Sequence, residues 1–158
     1  RYYGTGNNLG TLPTNPNQIT GVGQQQHQRD NNHRAIMSFR NGTQKDRTLT
    51  PHDLQTWELT LANITIRCTP DLYFTEGSNQ GVILFDCREP QQEVEIIRTT
   101  LELFHHTLNQ NGVQIPMRRV EYVHLDSDSL HRWNSPRQTT LNRANQTAAA
   151  IQTLWDSL

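Results

Sequence analysis

Carboxylate and imidazole side chains collect in two short segments, and each segment ends a stretch with the pattern of a strand. Asp86 ends the first stretch, and residues 124–131 end the second. Carboxylate oxygens suit hard divalent cations, and imidazole adds transition metals. If the two segments meet, they predict a metal-dependent phosphodiester hydrolase. The site residues of that hydrolase are Asp86, Asp126, Asp128, His124 and His131.

The same histidines allow a reaction without metal. Imidazole can shuttle protons during RNA cleavage while a guanidinium stabilises the phosphate. Arg118, Arg119 and Arg132 are the candidate guanidinium groups. The alternative without chemistry is a solvated Asp-Ser-Asp-Ser loop that caps the next turn. No motif requires a cofactor, and the identity of any metal stays open.

The rarity of lysine excludes several enzyme classes. Lys45 is the single lysine, and it is followed by Asp, so a Walker A phosphate loop is absent. A Schiff-base enzyme would have to use this residue from a polar loop. Scarce lysine also occurs in translocated toxins, although genomic base composition explains it as well. A secreted effector or toxin domain therefore remains one alternative.

The charge balance bears on the class of partner. Fourteen basic and fifteen acidic residues give a net charge of -1. A domain that binds nucleic acid or a membrane surface usually has a large basic excess, so neither partner is indicated. No apolar run is long enough for a membrane span, and the first residues do not resemble a signal peptide. A protein partner or a larger assembly fits this composition better.

The two cysteines predict a disulfide. Cys68 and Cys87 flank a predicted hairpin that would bring them together, and neither belongs to a Cys-x-x-Cys motif. Two free thiols are the alternative. Together with the abundance of Asn and Gln, the cysteine placement slightly favours an extracytoplasmic protein. Glycosylation sequons at Asn41, Asn63 and Asn145 are no more numerous than chance gives.

The apolar residues are distributed unevenly along the chain. Residues 1–32 contain only six, too few to bury a core, and are rich in Asn, Gln and Pro. They predict a polar arm or linker, or else a long loop wrapped on the domain. Residues 33–158 are expected to form a single domain.

Two segments have clear helical periodicity. In residues 90–109 the apolar residues recur at spacings of three and four, which predicts a buried stripe. A second helix is expected from Ser135–Pro136 to the end, because these residues suit the cap and first turn. A single helical turn is expected at 51–55. The predicted core stripe comprises Val94, Ile97, Leu101, Phe104 and Leu108.

The remaining apolar segments predict strands. These are 35–39, a long strand 56–68 with a bulge near Ala62–Asn63, a hairpin with arms 72–75 and 82–87, and 118–125. A strand, a long helix and another strand in succession usually form a parallel βαβ crossover. The expected fold is α+β, or α/β, with a mixed sheet of four to five strands and two long helices. It is preceded by the polar arm.

The absence of an enzyme motif favours one functional hypothesis over the others. We expect a non-catalytic binding or structural interaction domain, extracytoplasmic or part of a larger assembly. The phosphodiester hydrolase and the secreted effector are the alternatives. Whether the protein is an enzyme stays open at this stage.

Overall fold

The computed structural model describes residues 26–88 and 91–158. Residues 1–25 of the predicted arm lie outside this part of the chain. Residues 26–32 are the first two turns of a helix, so the expected boundary at residue 32 falls within an element. The helices are α1 Gln26–Asn41, α2 Val94–Gln110 and α3 Gln138–Asp156. The strands are β1 Thr50–Pro51, β2 Trp57–Leu61, β3 Ile64–Cys68, β4 Leu72–Glu76, β5 Asn79–Asp86, β6 Val120–His124 and β7 Ser129–His131.

The main sheet has five strands in the order β1-β4-β5-β6-β7. β5 and β6 are parallel, and the other neighbouring strands are antiparallel. The chain passes from β5 through α2 to β6, as the predicted βαβ unit requires. The mixed sheet and the parallel crossover are therefore confirmed. β7 was not predicted, because its three residues follow polar residues that suggest only a loop.

The two faces of the sheet bury separate clusters. α2 covers one face with Ile97, Leu101, Phe104 and Leu108, all buried. Val94 was expected in this stripe but is 57% exposed, because it is the first residue of the helix. On the other face, Phe74, Ile83 and Val123 are buried, and Phe39 of α1 contacts Phe85 edge-on.

Three local predictions were wrong. Residues 35–39 belong to α1, and 51–55 do not form a helical turn, because Thr50–Pro51 pairs with β4 instead. The long strand at 56–68 is a hairpin of two strands, β2 and β3. Ala62 and Asn63 both have positive φ, at 44° and 68°. Two such residues make a tight hairpin turn, which accounts for the phase slip in the alternation.

The predicted disulfide is absent, and Cys68 and Cys87 are free thiols. The register of the β4–β5 hairpin pairs Leu72 with Ile83. If that ladder continued, it would pair the two cysteines. The chain turns at Asp71, however, and Cys68 pairs with Trp57 in the separate β2–β3 sheet. The hairpin therefore diverges before it reaches the cysteines.

Candidate functional site

The carboxyl end of the parallel pair brings three of the predicted site residues together. Asp86 and His124 are register partners at the ends of β5 and β6. His131 of β7 lies opposite Tyr122, two residues before His124. Side chains two apart on a strand share a face, so all four side chains are on the α2 side of the sheet. We refer to Asp86, Arg88, Tyr122, His124 and His131 as the edge cluster.

Asp86 is almost fully enclosed by its partners. Arg88 donates to the carboxylate from its backbone N–H at 3.0 Å and from Nε at 2.8 Å. The Tyr122 hydroxyl donates to the other carboxylate oxygen. Burial alone would raise the pKa of Asp86, but the hydrogen bonds from Arg88 and Tyr122 outweigh it and lower the pKa to about 2. Burial and the nearby Asp86 charge raise the pKa of Tyr122, which keeps its proton.

The two histidines of the edge cluster are held differently. His124 is buried, and its Nε2 donates to the backbone carbonyl of Arg88 at 2.9 Å. Its Nδ1 contacts the Ser127 hydroxyl at 2.8 Å. His131 contacts the Gln91 amide at 2.6 Å and stacks on Trp133. Burial and the neighbouring His124 lower the pKa of His131, so its ring is neutral at pH 7.

Asp126 and Asp128 have partners on the α1 side of the sheet. The Ser38 hydroxyl donates to Asp126 at 2.9 Å, and Arg34 Nε lies 3.2 Å from the second carboxylate oxygen as an ion pair. The backbone N–H of Thr43 donates to Asp128 at 2.8 Å. Ser38 belongs to α1, and Thr43 follows it. These two carboxylates therefore attach α1 and the turn after it to the β6–β7 loop.

The sequence-predicted site is thus divided into two groups with different partners. Within 26–88 and 91–158, no group of three or more His, Cys, Asp or Glu side chains could hold a metal ion. The hydrolase stays a prediction from the sequence. Sequence reasoning missed Arg88, Tyr122 and Gln91. Tyr122 had a usable signal, because it lies two residues before His124 in a strand pattern and so on the same face.

Two of the three arginines proposed to assist the histidines lie at the opposite end of β6 from His124, and the third, Arg132, directly follows His131. Arg118 and Arg119 precede the strand, and His124 ends it. Five residues of strand span about 16 Å, at about 3.3 Å per residue. Arg118, Arg119 and Arg132 instead line a separate polar recess.

An apolar groove lies beside the β2–β3 hairpin. It has a volume of about 320 Å³ and lies between β2–β3, α2 and α3. Ala148 is buried at its base, where α3 packs on Leu59 and Leu61. The apolar groove is lined by Leu61, Ile64, Ile66, Leu103, Ala144, Ala148 and Ile151, with Glu95 and Arg143 among its polar residues.

The second half of α3 carries large apolar side chains that are exposed. Ile151 is 44% exposed, Leu154 67% and Trp155 74%. Ala144, Ala148, Ile151 and Trp155 continue one helical stripe, of which only the first half packs on the domain. We call the apolar groove together with Ile151, Leu154 and Trp155 the α3 surface.

Comparison with known proteins gives this chain no family. No protein-family model matches it, and no curated protein is significantly similar to it. Separately, no helix within the described ranges has the length and apolar character to cross a membrane.

Proposed function

We propose that this chain is a non-catalytic protein-interaction domain that docks through the α3 surface. The exposure of Trp155 beside Leu154 and Ile151 is the observation that carries the proposal. A contiguous exposed apolar patch on a folded domain usually marks an interaction site. Tryptophan is enriched among the residues that dominate binding energy at such sites.

The contacts of the edge cluster support a structural role for the residues that would otherwise suggest catalysis. Asp86 is held by Arg88 and Tyr122, and both nitrogens of His124 have internal partners. Such bonds fix the β5–α2 loop against β6. Side chains used in this way stabilise the scaffold that presents α3.

We assign the α3 surface to a second copy of this chain. A twofold interface uses the same patch on both copies, so the patch must complement itself. The α3 surface contains a projecting part, Leu154 and Trp155, and a concave part, the apolar groove, joined through Ile151. Two copies related by a twofold axis would each insert the projecting part into the partner's groove.

The charges at the groove are also self-complementary. Glu95 and Arg143 line it with opposite signs. Arg143 has no ion-pair partner among the residues that the structure describes, and Glu95 contacts Arg137 at 2.7 Å.

α3 has 19 residues and is about 28 Å long, which is long enough for a helix-to-helix contact across the axis.

Sedimentation velocity tests this assignment. It is measured over about 1–300 µM protein, because this concentration range covers micromolar and weaker affinities. The sedimentation coefficient should rise from the monomer toward the dimer value. Trp155→Ser should keep the protein monomeric without changing its thermal unfolding at low concentration, because an exposed side chain contributes little to the fold.

Leu54→Ser is the matched control. Leu54 is 60% exposed but lies outside the α3 surface, so its loss should leave association unchanged. A wild-type chain that stays monomeric over the whole range would overturn the assignment. Equal weakening by both variants would also overturn it, because association would then depend on general apolar exposure.

A further inference from the structure

A polar recess lies at the amino end of the β5–β6 pair, at the opposite end of these strands from the edge cluster. Its volume is about 380 Å³, and it is lined by Asn79, Arg118, Arg119, Arg132 and Asn134. The three guanidinium groups and the NH₂ groups of the two amides can all donate hydrogen bonds to an anion. We call this the arginine recess.

One of the three guanidinium groups is fixed in place by carboxylates. Arg119 Nη1 lies 2.5 Å from Glu76 and 3.9 Å from the buried Glu121. Arg47 bonds to the same two carboxylates, at 3.1 Å and 2.5 Å. Hydrogen bonds from Arg47 lower the pKa of Glu76 to about 2, against the opposing effect of burial. Two arginines and two glutamates make this network electrically neutral near pH 7.

The other two guanidinium groups are uncompensated. Arg118 and Arg132 are exposed, and neither has a carboxylate within 4 Å in the described part of the chain. Together with the neutral network they give the recess a charge of +2. That excess is local, since the whole chain has a net charge of -1.

We propose that the arginine recess binds a phosphomonoester group. A phosphomonoester is close to a dianion at pH 7, so its charge matches the +2 of the recess. Guanidinium groups bind phosphate oxygens in a bidentate manner, and within the described ranges no carboxylate competes for Arg118 or Arg132. Asn79 and Asn134 supply amide donors for the remaining oxygens. The site is independent of the α3 surface.

The charge match distinguishes a phosphomonoester from the diester backbone of a nucleic acid. A phosphodiester has one charge and leaves half of the recess charge uncompensated. The near-neutral chain also lacks the extended basic surface that polynucleotide binding requires. The recess is therefore assigned to a single terminal phosphate rather than to a strand.

Calorimetric titration of the whole chain with methyl phosphate tests the proposal, and dimethyl phosphate is the matched diester. Methyl phosphate should bind saturably and dimethyl phosphate should not. Binding of methyl phosphate should strengthen between pH 5 and 7.5, because its second ionisation lies at about pH 6. Sulfate, which is a dianion over this range, should bind with little dependence on pH.

Comparing methyl phosphate with sulfate separates titration of the ligand from titration of the protein groups near the recess. Glu76 is ionised throughout the range because its pKa is about 2, and Glu121 is bonded to Arg47. His131 precedes Arg132 in the chain, but its ring stacks on Trp133 and does not line the recess. A pH dependence of sulfate binding as large as that of methyl phosphate would place the titrating group on the protein and overturn the charge-matching argument.

Substitutions locate the binding. Arg118→Gln and Arg132→Gln should each weaken methyl phosphate binding about tenfold or more, because each removes charge-assisted hydrogen bonds. Arg132→Lys should weaken it less, since the charge remains while the bidentate geometry is lost. Arg67→Gln, at an exposed arginine that lines neither the recess nor the apolar groove, should have no effect. No saturation below about 20 mM, or unchanged binding in both glutamine variants, would overturn the proposal.

Discussion

Arg88 joins Asp86 to His124 across the parallel β5–β6 pair. Its guanidinium donates to the Asp86 carboxylate at 2.8 Å, while its backbone carbonyl accepts from His124 Nε2 at 2.9 Å. The two residues that the sequence places at neighbouring strand ends are therefore linked through the first residues of the β5–α2 loop. This linkage uses the polar groups of both side chains to position the start of the crossover.

The acid dependence of stability should reflect the Asp86 contacts. The pKa of Asp86 is lowered to about 2 in the folded protein, against 3.8 for an unperturbed aspartate side chain. A lowered pKa contributes stability that is complete above the unfolded value and is lost as pH falls through the folded value. The free energy of unfolding should therefore fall between about pH 4.5 and 2.

Urea unfolding at pH 7 and at pH 2.5 measures this loss. Asp86→Asn should be less stable than the wild type at pH 7, and its stability should fall less on acidification. Glu76, whose pKa is also lowered to about 2, and Glu102, whose pKa is lowered by its hydrogen bonds from Thr140 and Arg137, still titrate in the variant and contribute to the remaining loss. An identical pH dependence in wild type and variant would show that the Asp86 contacts contribute nothing to folding.

The α2 stripe makes a prediction about the core. Leu101 is fully buried between α2 and the sheet. Leu101→Ala should lower the free energy of unfolding by about 2–5 kcal/mol, through lost apolar transfer and the cavity that remains. Denaturant unfolding measures it, with Val94→Ala as the control. Val94 lies on the same helix but is exposed, so a similar loss in both variants would contradict the burial pattern.

The periodicity of residues 82–125 was sufficient to predict the parallel unit, because apolar positions there follow strand and helix spacing without interruption. The β2–β3 hairpin was harder to predict. Its turn is Ala62–Asn63, which lacks the glycine that usually marks such a turn. Residues 35–39 of α1 were predicted as a strand because they form a short apolar run, but they are helical and Phe39 contacts Phe85 edge-on.

The candidate site was predictable where it depends on strand register and unpredictable where it depends on α1. The parallel pairing of 82–87 with 118–125 correctly brings Asp86 beside His124. The partners of Asp126, however, come from Ser38 and Arg34, about 90 residues earlier. Because Ser38 was assigned to a strand at 35–39, and Arg34 to the polar residues before it, no sequence pattern indicated that Asp126 contacts them.

The Asp126 contacts predict the behaviour of α1. Asp126→Asn removes the charge that pairs with Arg34 while preserving the size of the side chain. The helix should then detach more often from the β6–β7 loop, so trypsin should cleave faster after Arg34 and Arg40 in native conditions. Asp156→Asn, an exposed carboxylate on α3, should leave these cleavage rates unchanged. Unaltered cleavage in Asp126→Asn would mean that other contacts are sufficient to hold α1.

The most direct test of the interaction-domain proposal is hydrogen exchange measured at low and high protein concentration, about 1 µM and 300 µM, which bracket a micromolar affinity. We predict that exchange slows in residues 144–156 of α3 and in residues 61–66, which border the apolar groove, as concentration rises. Exchange in β4, β5 and β6 should change little, because no residue of these strands lines the apolar groove. Exchange that is independent of concentration in α3, or slowing confined to other surfaces, would contradict the proposal.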